Sequence, residues 1–324
     1  MDPLSDVLRA VRLDGAFFYT VEAARPWSVS VAPACELVPR VLPGAEHLIS
    51  YHIVTSGSCW GGVDGEPQVL LETGDVIVFP HGDPYLLSSE EGRRFNPGIH
   101  TSVPSRYLET VRLGDARNGG TRATFVCGFL GCDARPYNPL LAALPRCLHI
   151  PSAVSGWLAE FPRQVVTESR AVRAGGATML TRMAELLFVH VLRRYMDGLS
   201  VLETGWLAGL RDPVVGPALT ELHNRPSHPW TLIDLARAVA TSRTVLTERF
   251  VQLVGIPPMQ YLTQWRLQLA AKELASGSEK VASIGARVGY ESEAAFSRAF
   301  KRATGQAPAA WRRARQLPPS TDAS

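Results

Sequence analysis

Ser283-Ile284-Gly285-Ala286-Arg287-Val288-Gly289-Tyr290-Glu291-Ser292-Glu293-Ala294-Ala295-Phe296-Ser297-Arg298-Ala299-Phe300-Lys301-Arg302 has a degenerate copy earlier in the chain. A shift of 50 residues lays Ala236 on Ala286, Arg237 on Arg287, Ser242 on Ser292, Leu246 on Phe296 and Phe250 on Phe300. Gly255 then meets Gly305, Pro258 meets Pro308 and Tyr261 meets Trp311, with no slip in register. Each copy reads as a short helix, a turn, a second helix and a glycine stop. In the first copy, Leu232, Leu235, Ala236 and Val239 form the apolar face of the short helix, and Val245, Leu246 and Phe250 that of the second. In the second copy, Ile284 and Val288 precede a helix buried through Ala295, Phe296 and Phe300. Ser242 and Ser292 stand where a side-chain oxygen can satisfy the free N–H groups of a helix start. Gly255 and Gly305 suit left-handed C-caps. Two packed helices joined by a tight turn make a helix-turn-helix, whose second helix can lie in a major groove.

Two such units fit one duplex. Met259 to Ala275 reads as one helix of roughly 25 Å at ~1.5 Å per residue. With the width of the units added, the two second helices approach the ~34 Å of one DNA turn. Charge supports this partner. The chain has 324 residues and a net charge of +3. Residues 216–324 hold 14 Lys/Arg against 8 Asp/Glu, whereas residues 1–215 hold 19 against 22. A basic C-terminal third joined to a mildly acidic remainder suggests a polyanion-facing module attached to something else. A tandem hairpin that binds protein is the competing reading. Arg243, Arg249, Arg298, Lys301 and Arg302, on or beside the reading helices, weigh against it. The exposed reading candidates are Arg243, Thr244, Thr247 and Glu248 in the first copy, and Glu293, Ala294, Ser297, Arg298 and Lys301 in the second. Arg298 is the best base reader, because a guanidinium can pair bidentately with guanine. Ser242 and Ser292 are expected to cap their helices and meet phosphate. Glu248 can accept from cytosine or pair with Arg243 or Arg249.

The quoted segment, followed by Gly305 and Pro308, closely resembles the signature of AraC/XylS-type transcription regulators. The likeness covers about 220–313. It implies two helix-turn-helix subdomains joined by a linker helix, acting on promoter double-stranded DNA, with RNA polymerase as a candidate partner. Glu248 departs from the family, whose members often place a basic residue there.

Upstream, the pattern changes to strands. Leu48–Val54, Val69–Leu71 and Val76–Phe79 are β-rich runs separated by turn residues such as Gly61-Gly62-Val63-Asp64-Gly65 and Thr73-Gly74-Asp75. Short strands at such spacing suggest a sandwich or barrel. Residues 153–171 and 176–197 carry helical periodicity, as at Leu180, Met183, Leu187 and Val191. Leu71-Glu72-Thr73-Gly74-Asp75-Val76-Ile77-Val78-Phe79-Pro80-His81-Gly82 is similar to the second conserved stretch of cupin barrels. Tyr51–Val54, Gly57–Trp60, Cys127-Gly128 and Arg135–Leu141 are similar to the cupin-type sensor half of one AraC subgroup. That resemblance implies a barrel holding a small effector, followed by helices used in dimerisation, hence a homodimer.

The expected fold class is therefore multidomain α+β. It comprises a cupin-like barrel with following helices over 1–200, a linker at 201–217, an all-α double helix-turn-helix over 218–315 and a disordered tail at 316–324. His52, Trp60, His81 and Tyr85 are the candidate effector-binding residues. Metal is the weaker alternative for His47, His52, His81 and His100. The cupin His-x-His pair with a following Glu is absent, and His47 and His52, five apart, would face opposite sides of one strand. No metal or cofactor is expected. Cys127 and Cys132 could close a redox disulfide, which makes a thiol switch an alternative reading, as is a metal-binding cupin enzyme fused to a DNA-binding module. Catalysis is not expected, since there is no Gly-rich phosphate loop and no G-x-S-x-G. Five cysteines, an acidic N-terminus and the lack of a long apolar run point to a reduced cytoplasmic protein outside the membrane.

Overall fold

The computed structural model describes residues 2–92, 109–114, 122–152, 157–170, 174–200 and 203–316. Its compact units interleave along the chain: one is Leu13–Cys132 with Leu144–Gly198, the other Met1–Arg12, Asp133–Ala143 and Leu199–Ser324. Compactness thus divides the chain differently from a single cut near residue 200. The expected disordered tail, from 317 onward, and His100 lie outside the described residues.

The first unit is built on two sheets. One runs in the order β10 (Leu148–Ile150), β6 (Val76–Phe79), β3 (His47–Ser56), β9 (Arg122–Cys132), β1 (Asp14–Ala24), β8 (Thr110–Leu113). The other runs β2 (Ser28–Val31), β7 (Tyr85–Ser88), β4 (Ser58–Val63), β5 (Val69–Glu72). Side chains alternate along each strand, so odd residues of β1 and β9 and even residues of β3 enter one core. Phe17, Tyr19, Leu48, Val54, Phe125 and Phe129 from the first sheet share it with Cys59, Leu71, Tyr85 and Leu87 from the second. Helix α2 (Ala34–Val41) adds Leu37 and Val41 to this core. Helices α4 (Trp157–Arg170) and α5 (Gly176–Gly198) complete the unit, and α5 buries Leu180, Met183, Leu187 and Val191 at the spacing read from the sequence.

The second unit is helical. The repeat gives α8 (Leu232–Ala238) with α9 (Arg243–Val254), and α11 (Val281–Arg287) with α12 (Glu293–Thr304). Helix α10 (Pro258–Ser276) joins them and α13 (Pro308–Gln316) follows. Ser242 Oγ accepts from the Val245 N–H and Ser292 Oγ from the Ala295 N–H, each at 3.2 Å. Gly255 and Gly305 end the reading helices at φ 85° and 77°, where a Cβ would be strained. Val245 corrects the expected burial pattern: it is 45% exposed, because only Leu246 and Phe250 of α9 turn fully inward.

The stretch expected as a linker is also corrected. It forms α6 (Trp206–Arg211) and the start of α7 (Val215–Asn224), and it buries Trp206, Leu207 and Val215. The Asp212 carboxylate caps α7 by accepting from the N–H groups of Val214 and Val215 at 2.9 and 2.8 Å. Glycine and proline mark the ends of short helices here rather than open chain.

Two segments distant in sequence complete this unit. Helix α1 (Pro3–Ala10) and residues 133–143, including α3 (Pro139–Ala143), meet the linker helix through Gln268. Its amide donates to the Ala10 carbonyl at 3.3 Å and accepts from the Tyr137 N–H at 3.1 Å. Gln268 is 1% exposed. Gln268→Leu should cost about 2–4 kcal/mol, because it strands two backbone groups away from water. Urea denaturation checks this, and an unchanged midpoint would mean that water replaces the amide.

Candidate functional site

The DNA-facing candidates lie in the helical unit. The caps fix where α9 and α12 begin, so their first turns present Arg243 and Thr244 in one and Glu293 and Ala294 in the other, all exposed. Glu248, Arg298 and Lys301 are exposed, while Thr247 and Ser297 are half-buried. Arg249 pairs with Asp212 at 2.6 Å, so its charge is committed to the fold rather than to Glu248. Arg302 and Lys301 stand in the last turn of α12, where cations also favour the negative end of the helix dipole.

The other candidate lies in the sheet interior. Pairing sets His52 opposite Cys127, and Cys127 opposite Tyr19. These three form one inward row across β3, β9 and β1. Tyr85 reaches the row from the second sheet: its hydroxyl lies 2.7 Å from His52 Nε2. The Tyr85 ring stacks on Phe79 at 4.0 Å. Burial holds the His52 imidazole neutral, lowering its pKa to about 3, and pushes the Tyr85 phenol up. His52 Nε2 either accepts from the Tyr85 hydroxyl, with the proton at Nδ1, or donates to it, leaving Nδ1 an acceptor. His52 Nδ1 is buried and has no hydrogen-bond partner among the described residues. Trp27 Nε1, in the same core, is in the same situation.

The structure brings together only part of the expected effector set. His52 and Tyr85 meet. Trp60 does not join them, because neighbouring Cys59 takes the inward position of β4 and Trp60 faces the other side, across from Leu70. His81 sits in the turn after β6, exposed, with Nε2 2.8 Å from the Leu144 carbonyl. His47 lies on the opposite face from His52, with Nε2 2.6 Å from the Pro80 carbonyl. Among the described residues no cluster of three or more His, Cys, Asp or Glu could hold a metal. Tyr19, Ser50, Cys59 and Trp27 enter the interior without having been expected. Strand parity and pairing place Tyr19, Ser50 and Cys59 there, and Trp27 enters from the turn between β1 and β2.

The disulfide expectation is overturned. Cys127 and Cys132 lie on one continuous strand and point to opposite faces. Five residues span roughly 16 Å, against the ~7 Å limit between Cα atoms of a disulfide. Burial raises the Cys127 thiol well above its ordinary range and Cys59 to about 12, which disfavours the reactive thiolate. Oxidant treatment of the native protein should leave Cys127 and Cys132 unlinked. A Cys127–Cys132 cross-linked peptide in mass spectrometry would contradict the β9 assignment.

Comparison with known proteins matches these two parts. A cupin model covers residues 2–197, and a helix-turn-helix domain model covers residues 235–314. A Streptomyces lividans protein named "Putative AraC-like transcription regulator" is 34% identical over 98% of this chain and 100% of its own length. This chain belongs to the AraC family of transcription regulators. A Streptomyces antibioticus relative of the same name is 32% identical over 97% of this chain and 99% of its own. The transcriptional regulator AlkR of Acinetobacter baylyi is 27% identical over 96% and 99%. As an AraC-family regulator, the chain is a DNA-binding protein with a cupin-like domain. None of its described helices is long and apolar enough to cross a membrane.

Proposed function

We propose that this AraC-family regulator binds promoter DNA sequence-specifically through α9 and α12, and that a small molecule held in the sheet interior biases that binding. The observation that carries the DNA reading is the pair of capped, equal-length helices presenting exposed polar side chains on either side of one linker helix. Arg298 is the principal base reader, with Ser242, Arg243, Thr244, Thr247, Glu248, Ser292, Glu293, Ser297 and Lys301 as further contacts. Arg298→Ala should cost ~1–3 kcal/mol at the cognate site and relax preference at one base pair. Fluorescence anisotropy on wild-type and single-base-altered duplexes measures both, and an unchanged specificity profile removes Arg298 from the reading set. Phosphate neutralisation releases counterions, so affinity should also fall steeply as salt is raised.

Support for effector binding rests on the buried, unpartnered His52 Nδ1 beside the Tyr85 and Phe79 rings. An uncharged compact molecule with a hydrogen-bonding group matches that chemistry. The signal acts only through a difference in its affinity for two arrangements of the protein. A ligand present at 100 times its Kd should stabilise the protein by about 2.7 kcal/mol. Thermal-shift screening of neutral small molecules, with His52→Phe as control, reads this directly. A hit that stabilises His52→Phe equally would place the ligand elsewhere.

A further inference from the structure

The two reading helices carry different chemistry on corresponding faces. At about 100° per residue, Thr244, Glu248 and Val251 of α9 lie opposite the buried pair Leu246 and Phe250. The same positions of α12 hold Ala294, Arg298 and Lys301. Val245 flanks the first turn of α9, where α12 has Ala295. Val245 and Val251 are 45% and 38% exposed, and they are two of the six large apolar side chains exposed to this degree among the described residues. Both belong to one 12-residue helix that already buries Leu246 and Phe250 completely. Neither is needed for the core. Arg249, the cation beside them, is held by Asp212 from below the helix.

We infer that the first reading helix selects its half-site by apolar contact of Val245 and Val251 with thymine methyl groups, while the second supplies the cationic and guanine-type contacts. The inference rests on the DNA-binding reading given above and assigns to one half-site the chemistry it reads. In the major groove only thymine presents a methyl group, and apolar side chains are its matching partners. Glu248, between the two valines on this surface, is a hydrogen-bond acceptor suited to the cytosine amine. It also repels phosphate, so the preferred half-site is one in which base contacts rather than backbone charge hold the helix. The composite operator is therefore asymmetric. A thymine-containing segment faces α9, and a segment with guanine faces α12.

The test uses the full chain. A preferred duplex is first selected from a randomised library, and the half-site facing α12 is the one whose base preference Arg298→Ala relaxes. Thymines in the other half-site are then replaced one at a time by deoxyuridine, which removes only the methyl group. At one or two positions wild-type affinity should fall about fourfold, the effect of losing one buried methyl-sized group. Val245→Ala or Val251→Ala should bind the thymine duplex about as weakly as wild type binds the uracil duplex, and should be indifferent to the replacement. Their salt dependence should match wild type, whereas Lys301→Ala should flatten it. Both valines are surface residues, so the alanine variants should keep the wild-type thermal midpoint. Wild-type indifference to deoxyuridine throughout that half-site overturns the inference, as does full sensitivity retained in both alanine variants. A library that yields no enriched sequence overturns the DNA-binding reading itself.

Discussion

Phe300→Ala should lower the stability of the helical unit by about 3–5 kcal/mol, the range for truncating a buried aromatic side chain. Phe300 is fully buried between Phe296, 5.6 Å away, and Trp311, which meets it edge-on at 5.6 Å. Leu267, Ala270, Leu274, Ile284 and Val288 close the same cluster. These residues come from α10, α11 and the turn after it, so the ring is what holds α12 against its frame. A 12-residue helix is marginal by itself in water, and the Ser292 cap contributes only about 1 kcal/mol. Without the ring the second reading helix loses its fixed place, and specific DNA binding should be lost with it. Arg298→Ala, about half a turn away on the exposed side, should relax preference at one base pair but leave stability within about 0.5 kcal/mol. Denaturant titration paired with anisotropy separates the two variants. If Phe300→Ala unfolds at the wild-type midpoint, α12 is held by something other than this cluster.

That contrast also shows why the helix-turn-helix was legible in the sequence. Each of its signals is local: a serine at the cap, a glycine at the stop, apolar residues three and four apart, all repeated 50 residues later. The linker helix was legible for the same reason. The strands β3, β5 and β6 were visible as β-branched runs between turn residues, yet their interior was not. His52 and Tyr85, two of the four effector candidates, meet from two different sheets. Trp60 falls outside that pair because a one-residue change in parity turns a strand side chain to the other face, and His81 because it stands in the turn after β6. The docking of α1 and residues 133–143 on α10 left no trace in local pattern, because Gln268 bonds a carbonyl 258 residues away. Val245 was misread since helical spacing alone places it at the border of the apolar face. The packing of α9 against α6, α7, α8 and α10 decides which side of the border it falls on.

Lowering the pH from 7 to 5 should destabilise each unit, by about 2 kcal/mol through its most deeply buried histidine alone. In the sheet unit this is His52; in the helical unit it is His223, stacked on Trp265 at 4.2 Å with Nε2 2.7 Å from the Tyr261 hydroxyl. Burial lowers both imidazoles from 6.5 to about 3. The folded forms therefore stay neutral across a range in which the unfolded chain takes up protons. Between pH 6.5 and 3 the unfolded state binds more protons, so stability falls as pH falls, and above about pH 6.5 it is level. At pH 5 the difference amounts to about 1.5 pKa units per histidine, or about 2 kcal/mol. Carboxylates act in a lower window. Asp83, held down by its hydrogen bond from Arg146, and Asp234, held down by Thr231, lose their stabilising effect only as pH drops below the usual carboxylate value of 3.8. The span from pH 7 to 5 thus leaves these two carboxylates ionised and reads chiefly the histidines. His47 and His190, also lowered by burial, add to His52 in the sheet unit. The raised carboxyls of Asp6 and Glu273 act in the opposite sense in the helical unit. Urea denaturation at both pH values measures the loss, and His223→Gln should remove it from the helical unit while leaving that of the sheet unit in place. A stability that stays level to pH 5 would mean that the folded imidazoles accept protons, so that water or a partner group reaches His52 Nδ1 and His223 Nδ1 in solution.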